Sequence, residues 1–449
     1  MLIGYRRKWL ESFMILGISA AISLLPAISA EAAALQNSLQ EMINETKAGD
    51  ILRLPAGSYS GAVVIDKPLT IAAEEGAVLR IEEGLVETAL TIKADHVSIS
   101  GLRIEDGTVK EQPTLMVEGD YAKLENVTIL TGSFGIQLRS ANEAKISHTR
   151  IEWIGLVGGR EPEIFQKGNG IDLYESDGNL LIDNIITGMH DGIYLENSDD
   201  NQVLENRFEE LRYGVHCMYT KNILIRDNIG TRNVTGAMIM GVQNVEVSHN
   251  TFTKQSENVN SQGILLFDAH HSLIESNQVE GNRVGVYVEE SSENEIANNE
   301  ILSNFIGIQM LNAEDNTVKA NRFIGNVANA EARNSANNIL DRNYWDTFSG
   351  IDTDGDGSSD ISYAINPFFQ TLIKQKPGFQ LFFQSPGMMF LENLYRSGSE
   401  SWPRDQHPLM KPGDGSVNAM QNSLKKTGLA GGMLLIAAIY LIIMGVRRR

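Results

Sequence analysis

Cysteine is nearly absent: Cys217 is the single one in 449 residues, which excludes an intrachain disulfide framework and leaves stability to packing. Basic charge is short as well, with 37 Lys and Arg against 57 Asp and Glu and a formal net charge of −20. That balance argues against a nucleic-acid partner, because phosphate binding needs a basic surface. It suits cation attraction or plain solubility instead. Helical periodicity is missing from the long central stretch, and so are the leucine pattern and asparagine placement of leucine-rich repeats. No LPxTG precedes the C-terminal apolar run, so a sortase-type wall signal is not indicated. With 42% hydrophobic and 21% charged residues, the chain can still build a large core or a long repeat array.

The two ends predict export and tethering. Residues 1–32 carry Arg6, Arg7 and Lys8, then an apolar run ending in small residues, with Ala30-Glu31-Ala32 as an A-x-A cleavage pattern. The alternative is an uncleaved N-terminal anchor. Residues 428–446 form 19 positions without a charge, bracketed by Lys425 and Lys426 before and Arg447 to Arg449 after, long enough for one transmembrane helix. The terminal arginines then stay inside, and the large domain lies on the outer face of the cytoplasmic membrane.

Between them the text repeats. Gly135, Gly170, Gly192, Gly214, Gly236, Gly263, Gly285 and Gly307 are separated by 35, 22, 22, 22, 27, 22 and 22 residues. Asn184, Asn206, Asn228, Asn250, Asn277, Asn299 and Asn321 keep the same 22-residue period and skip by five at the same place. Two columns skipping together mark a structural period with one inserted loop near residues 254–261. Short β-type segments at this period predict an all-β, right-handed parallel β-helix of about 22 residues per coil. The stacked asparagines are expected to bond the neighbouring turn and to accept a left-handed conformation if required. Residues 33–90 are expected to form an N-terminal cap and first coils, 91–345 the regular repeats, and 346–396 a C-terminal cap and extension. Residues 397–427, rich in Ser, Pro and Gly, read as a flexible linker. A further 13 residues between Gly135 and Gly170 predict a protruding loop.

Strand alternation sorts the side chains. One and three positions after each glycine come core residues such as Ile193 and Leu195, Val215 and Cys217, Ala237 and Ile239. Two and four positions after it come outward residues: Tyr194 and Glu196, His216 and Met218, Met238 and Met240, Leu265 and Phe267. With coils about 4.8 Å apart and alternate residues about 6.7 Å apart, His216, Met218, Met238 and Met240 are expected at the corners of an exposed rectangle. Thioethers with an imidazole are soft ligands that favour Cu(I). The alternative is an apolar patch for another protein to cover, and the two are compatible. Cys217 has inward parity and reads as a small buried hydrophobe.

Two further patterns carry chemistry. Asp352, Asp354, Asp356 and Asp360 sit at positions 1, 3, 5 and 9 of a calcium loop, but position 12 is Tyr363 and no flanking helix pair is evident; simple Asx-turns are the alternative. His190 and Asp191, with Arg212 and Tyr213 one coil on, could serve a polysaccharide lyase or epimerase, although Gly192 is expected to hold them at a turn. Paired carboxylates of the kind a glycosidase needs are not found on the outward strand face.

Taken in order, DGIYLENSDDN, LRYGVHCMYT, YWDTFSGIDTDGDG and SPGMMFLENL resemble the NosD family of nitrous oxide reductase maturation proteins, over about residues 45–395. The resemblance implies an extracytoplasmic, non-enzymatic β-helix. It implies work with the membrane and ATPase subunits of an ABC transporter and with a copper chaperone, supplying the copper–sulfur centre of nitrous oxide reductase. It also gives the apolar clusters of residues 368–394 a docking role on the transporter, against the alternative of a plain solenoid cap. The transmembrane tail departs from the soluble periplasmic form such a family suggests.

Overall fold

The structure, a computed structural model, describes residues 38–82, 84–255, 261–382, 385–395 and 402–412. The expected export signal (1–32) and membrane span (428–446) lie outside the described residues, as does the middle of the inserted loop. Among the described residues no helix is long and apolar enough to cross a membrane.

Strands of three or four residues with one apolar face cannot stand alone, and stacking them coil on coil buries that face continuously. The chain accordingly winds into an all-β parallel solenoid of about 13 coils with three sheets of 15, 13 and 12 strands. Every third strand pairs with its predecessor in parallel, so Ile193, Val215, Ala237 and Ile264 stand in one row. The inward column lies in the core, with Ile193, Leu195, Val215, Cys217, Ala237 and Ile239 all at 0% exposure. Glycine opens this row because of close approach: a Cβ on Gly192 would meet the Gly214 carbonyl oxygen at 2.4 Å and the Phe208 ring at 2.6 Å. Gly192 lies inside the strand Asp191–Glu196, so the turn expected there is absent and Asp191 begins the strand.

The asparagine column forms a buried ladder. Asn206 donates from its backbone nitrogen and its Nδ2 to Oδ1 of Asn228, at 2.9 and 3.0 Å, and Asn228 does the same to Asn250. Each Nδ2 also reaches a backbone carbonyl, as from Asn228 to Val203. The left-handed residue at this corner is the one before each asparagine: Glu205, Asp227, His249, Ser276 and Asn298 all have φ between 55° and 58°. The amide therefore holds the corner while its neighbour takes the strained dihedral.

Both ends are closed. The helix Leu39–Glu45 buries Leu39 and Ile43, and Gln40 bonds both the backbone nitrogen and the carbonyl of Val64, imitating a further strand. At the other end, residues 402–412, within the stretch read as linker, fold back on the last coil. Asp405 is fully buried there, and its Oδ2 accepts from the backbone nitrogen and Nδ2 of Asn343 and from the Trp345 indole. A carboxylate thus ends the amide ladder. Two helices, Phe368–Gln375 and Pro386–Leu394, occupy the apolar clusters before it.

Replacing Asn228 by Ala removes the acceptor shared by the Asn206 backbone nitrogen and Nδ2, together with the side-chain donor to Val203 and Asn250. The expected outcome is a loss of about 2–4 kcal/mol in chemical unfolding followed by circular dichroism, the scale set by unpaired buried polar groups.

Candidate functional site

Four successive strands of the 12-stranded sheet, Asp191–Glu196, Tyr213–Met218, Thr235–Gln243 and Gln262–His270, build the site. His216 stands opposite Met238, and Met218 opposite Met240. Tyr194 and Glu196 are the partners on the coil before, Leu265 and Phe267 on the coil after. The expected rectangle is therefore present on one sheet face, with Met218, Met238 and Met240 half-buried.

His216 differs from the exposed corner expected of it: only 7% of it is accessible. The strand does turn the side chain away from the core, but aromatic rings enclose it. The Tyr194 ring lies 4.9 Å away and tilted, and the Tyr213 ring 4.9 Å away and edge-on.

Asp191, fully buried, ties this corner together. Its Oδ1 accepts from Arg212 Nε at 2.8 Å, and its Oδ2 accepts from Arg212 Nη2 at 2.6 Å and is paired with His216 Nδ1 at 2.9 Å. The Arg212 guanidinium stacks 4.3 Å over the Tyr213 ring. Burial alone pushes the Asp191 carboxyl up, yet the bonds and charges of Arg212 and His216 hold it below its ordinary value. One coil back, Asn169 accepts from the Asp191 backbone nitrogen and donates to Asp172, which is paired with Arg139 at 2.6 Å. Tyr194 donates to Glu196 at 2.8 Å and its hydroxyl lies 3.9 Å from the Met218 sulfur.

One atom is left over. His216 Nε2 is buried and has no hydrogen-bond partner among the described residues. A buried imidazole nitrogen without a partner, on a face whose next coil presents thioethers, has the chemistry of a soft-metal ligand. The donor set therefore fits copper.

The residues weighed separately for enzyme chemistry divide. Asp191, Arg212 and Tyr213 join His216, while His190 is only partly buried, and that burial, with Arg212 and His216 nearby, lowers its pKa. The missed connection, Asp191 to His216, spans 25 residues: one 22-residue coil plus three positions. A search for groups one coil and a short offset apart could have found it. In the acidic loop, ligand atoms of Asp352, Asp354 and Asp356 lie within 4.8 Å of one another. Asp360 does not join them, because its Oδ2 accepts from the backbone nitrogen and hydroxyl of Thr353. Asx-type bonds, in which the backbone nitrogens of Gly355 and Ser358 donate to Asp352 and Asp356, account for the loop's shape. Tyr363, at position 12, stacks on Trp345 instead of facing an ion.

The fold and this face define a parallel β-helix with a partly enclosed imidazole and thioether cluster. Solved structures of similar shape include a PL6 alginate lyase in complex with a trisaccharide, at 14% identity and TM-score 0.52, covering 68% of this chain and 81% of that one. A family 28 exopolygalacturonase of Yersinia enterocolitica is similar at 11% identity and TM-score 0.52, covering 67% and 74%. At those identities the likeness is of fold alone.

The model of the periplasmic copper-binding protein family NosD matches residues 154–354. A probable ABC transporter binding protein NosD of Stutzerimonas stutzeri is 28% identical over 180 residues, 39% of each chain. Its namesake in Pseudomonas aeruginosa is 31% identical over 144 residues, 31% of this chain and 32% of the relative. The alignments thus span well under half of those relatives. The chain is similar to the NosD family, over residues 154–354 for the family model and over less than half of the chain for each relative.

Burial pushes the Cys217 thiol up to about 12, so it carries almost no thiolate at neutral pH. The folded protein is expected not to react with a disulfide reagent such as Ellman's at pH 8, and to release one equivalent of colour once unfolded in guanidinium. Fast reaction of the native protein would place Cys217 at the surface.

Proposed function

We propose that this protein is an exported, non-enzymatic scaffold that holds copper, as cargo, at His216, Met218, Met238 and Met240. It does so beside an ABC transporter, in the assembly of the copper–sulfur centre of nitrous oxide reductase. The observation that carries the reading is the unpartnered, buried Nε2 of His216, with Met238 as the register partner of the same residue. Support also comes from the copper-binding description of the matched family and the transporter association in the names of the relatives. Thioether donors favour the cuprous ion, which leaves a soft, low-charge site more readily than a thiolate cage would allow. Delivery by a copper chaperone and release to the reductase belong to the same reading. So do the right-handed sense of the solenoid and a tether through residues 428–446. The exposed Phe382, Phe390, Leu391 and Leu394 on the C-terminal segment offer apolar surface for the transporter.

The alternative, a polysaccharide lyase or epimerase, draws on the Asp191–His216 pair, since a carboxylate behind an imidazole also suits a general base. Full burial of Asp191 and its double engagement by Arg212 keep it from acting on a sugar itself. Turnover of a uronate polymer, lost in Asp191→Asn, would favour that enzyme.

Cu(I) titration of the purified protein against a chromophoric chelator tests the leading reading. His216→Ala combined with Met238→Leu is expected to weaken binding tenfold or more, about 1.4 kcal/mol. Unchanged affinity in the double variant removes this face from copper handling.

A further inference from the structure

An ionised carboxylate only accepts hydrogen bonds, and a guanidinium only donates them. Asp191 therefore cannot give a proton to His216, and the 2.9 Å contact must be made by a protonated Nδ1. We infer that Asp191, clamped by Arg212, is a positioning residue that fixes His216 in the Nδ1–H tautomer and leaves Nε2 as a bare ligand atom. The inference rests on the copper reading above and adds to it the residues that prepare the ligand.

Three features make the arrangement specific. First, the Arg212 fork takes both oxygens of Asp191, at 2.8 and 2.6 Å, which fixes the plane of the carboxylate. Second, the backbone nitrogen of Asp191 is held by Asn169 on the coil before, so the residue is anchored through its main chain to that coil and through its carboxylate to the next. Third, the rings of Tyr194 and Tyr213 confine the imidazole on two sides, which limits its rotation about the Asp191 bond. In the opposite tautomer, Nδ1 would present a lone pair to the carboxylate, and Nε2 would carry a buried proton with no acceptor. Each of those costs more than the Nδ1–H state, in which only an acceptor is unpaired. A metal-bound histidine commonly gives its second nitrogen to a carboxylate, and losing such a partner costs ten- to a hundredfold in affinity. Here the carboxylate comes from the preceding coil, so the ligand is prepared before any metal arrives.

The test uses full-length protein with 15N-labelled histidine. Long-range proton–nitrogen correlations of metal-free wild type are expected to show His216 with Nδ1 protonated and Nε2 unprotonated at pH 8. An Nε2–H signature there overturns the inference whatever the variants do. Asp191→Asn is expected to bring the second tautomer into the spectrum and to weaken Cu(I) binding tenfold or more. Asp191→Glu is expected to recover part of the wild-type spectrum. Unchanged tautomer and affinity in Asp191→Asn, with binding lost in His216→Ala, would overturn the positioning role and leave the copper reading intact. Cu(I) affinity unchanged in both variants would remove the copper reading itself, while the wild-type spectrum still decides the tautomer. Thermal melts of each variant check folding, and if Asp191→Asn does not fold the wild-type spectrum alone decides.

Discussion

Each coil is tied to the next by buried amides that bond across to it. Oδ1 of Asn228 takes two donors from Asn206, and Asn228 hands its own two donors to Asn250. Because these groups are buried, any change of pitch would strand several of them at once, at a cost of 1–3 kcal/mol each. The ladder therefore fixes the pitch, and the pitch fixes everything placed at 22-residue intervals along the outer face. It also explains the two ends. Gln40 and Asp405 come from segments outside the regular coils, yet both supply the bonds that a missing coil would have made.

A rigid pitch makes a solenoid face suitable for a ligand assembled from several coils. The candidate site draws Asp191, His216 and Met238 from three successive strands, and none of these strands could place two of the groups alone. Side chains that parity turns outward are not thereby exposed. Gln137, Asp172 and His216 are all below 9% accessible; Arg139 pairs with Asp172, and the Tyr194 and Tyr213 rings flank His216. The outer face is thus a second, polar layer packed on the sheet, and in that layer an imidazole can be oriented and shielded at once.

Much of this was legible beforehand for a simple reason: repetition turns sequence distance into spatial distance. The pairings of His216 with Met238 and of Met218 with Met240, and the inward position of Cys217, follow from period and parity. Contacts off the lattice were not legible. The inward and outward columns of residues 192–196 say nothing of Asp191, which lies just ahead of them and reaches the next coil diagonally. Asp405 sits in a stretch whose Ser, Pro and Gly content resembles a linker, and a single buried carboxylate gives no compositional signal.

The sequence alone determined the solenoid, its 22-residue coil, the core column and the set of soft donors sharing one face, because those follow from a repeat length and an alternation of faces. The tertiary structure alone decided that His216 is buried, that Asp191 and Arg212 stand behind it, and that one ring nitrogen is left without a partner. Those outcomes depend on how unlike side chains from neighbouring coils fill the same space, which no periodic pattern encodes.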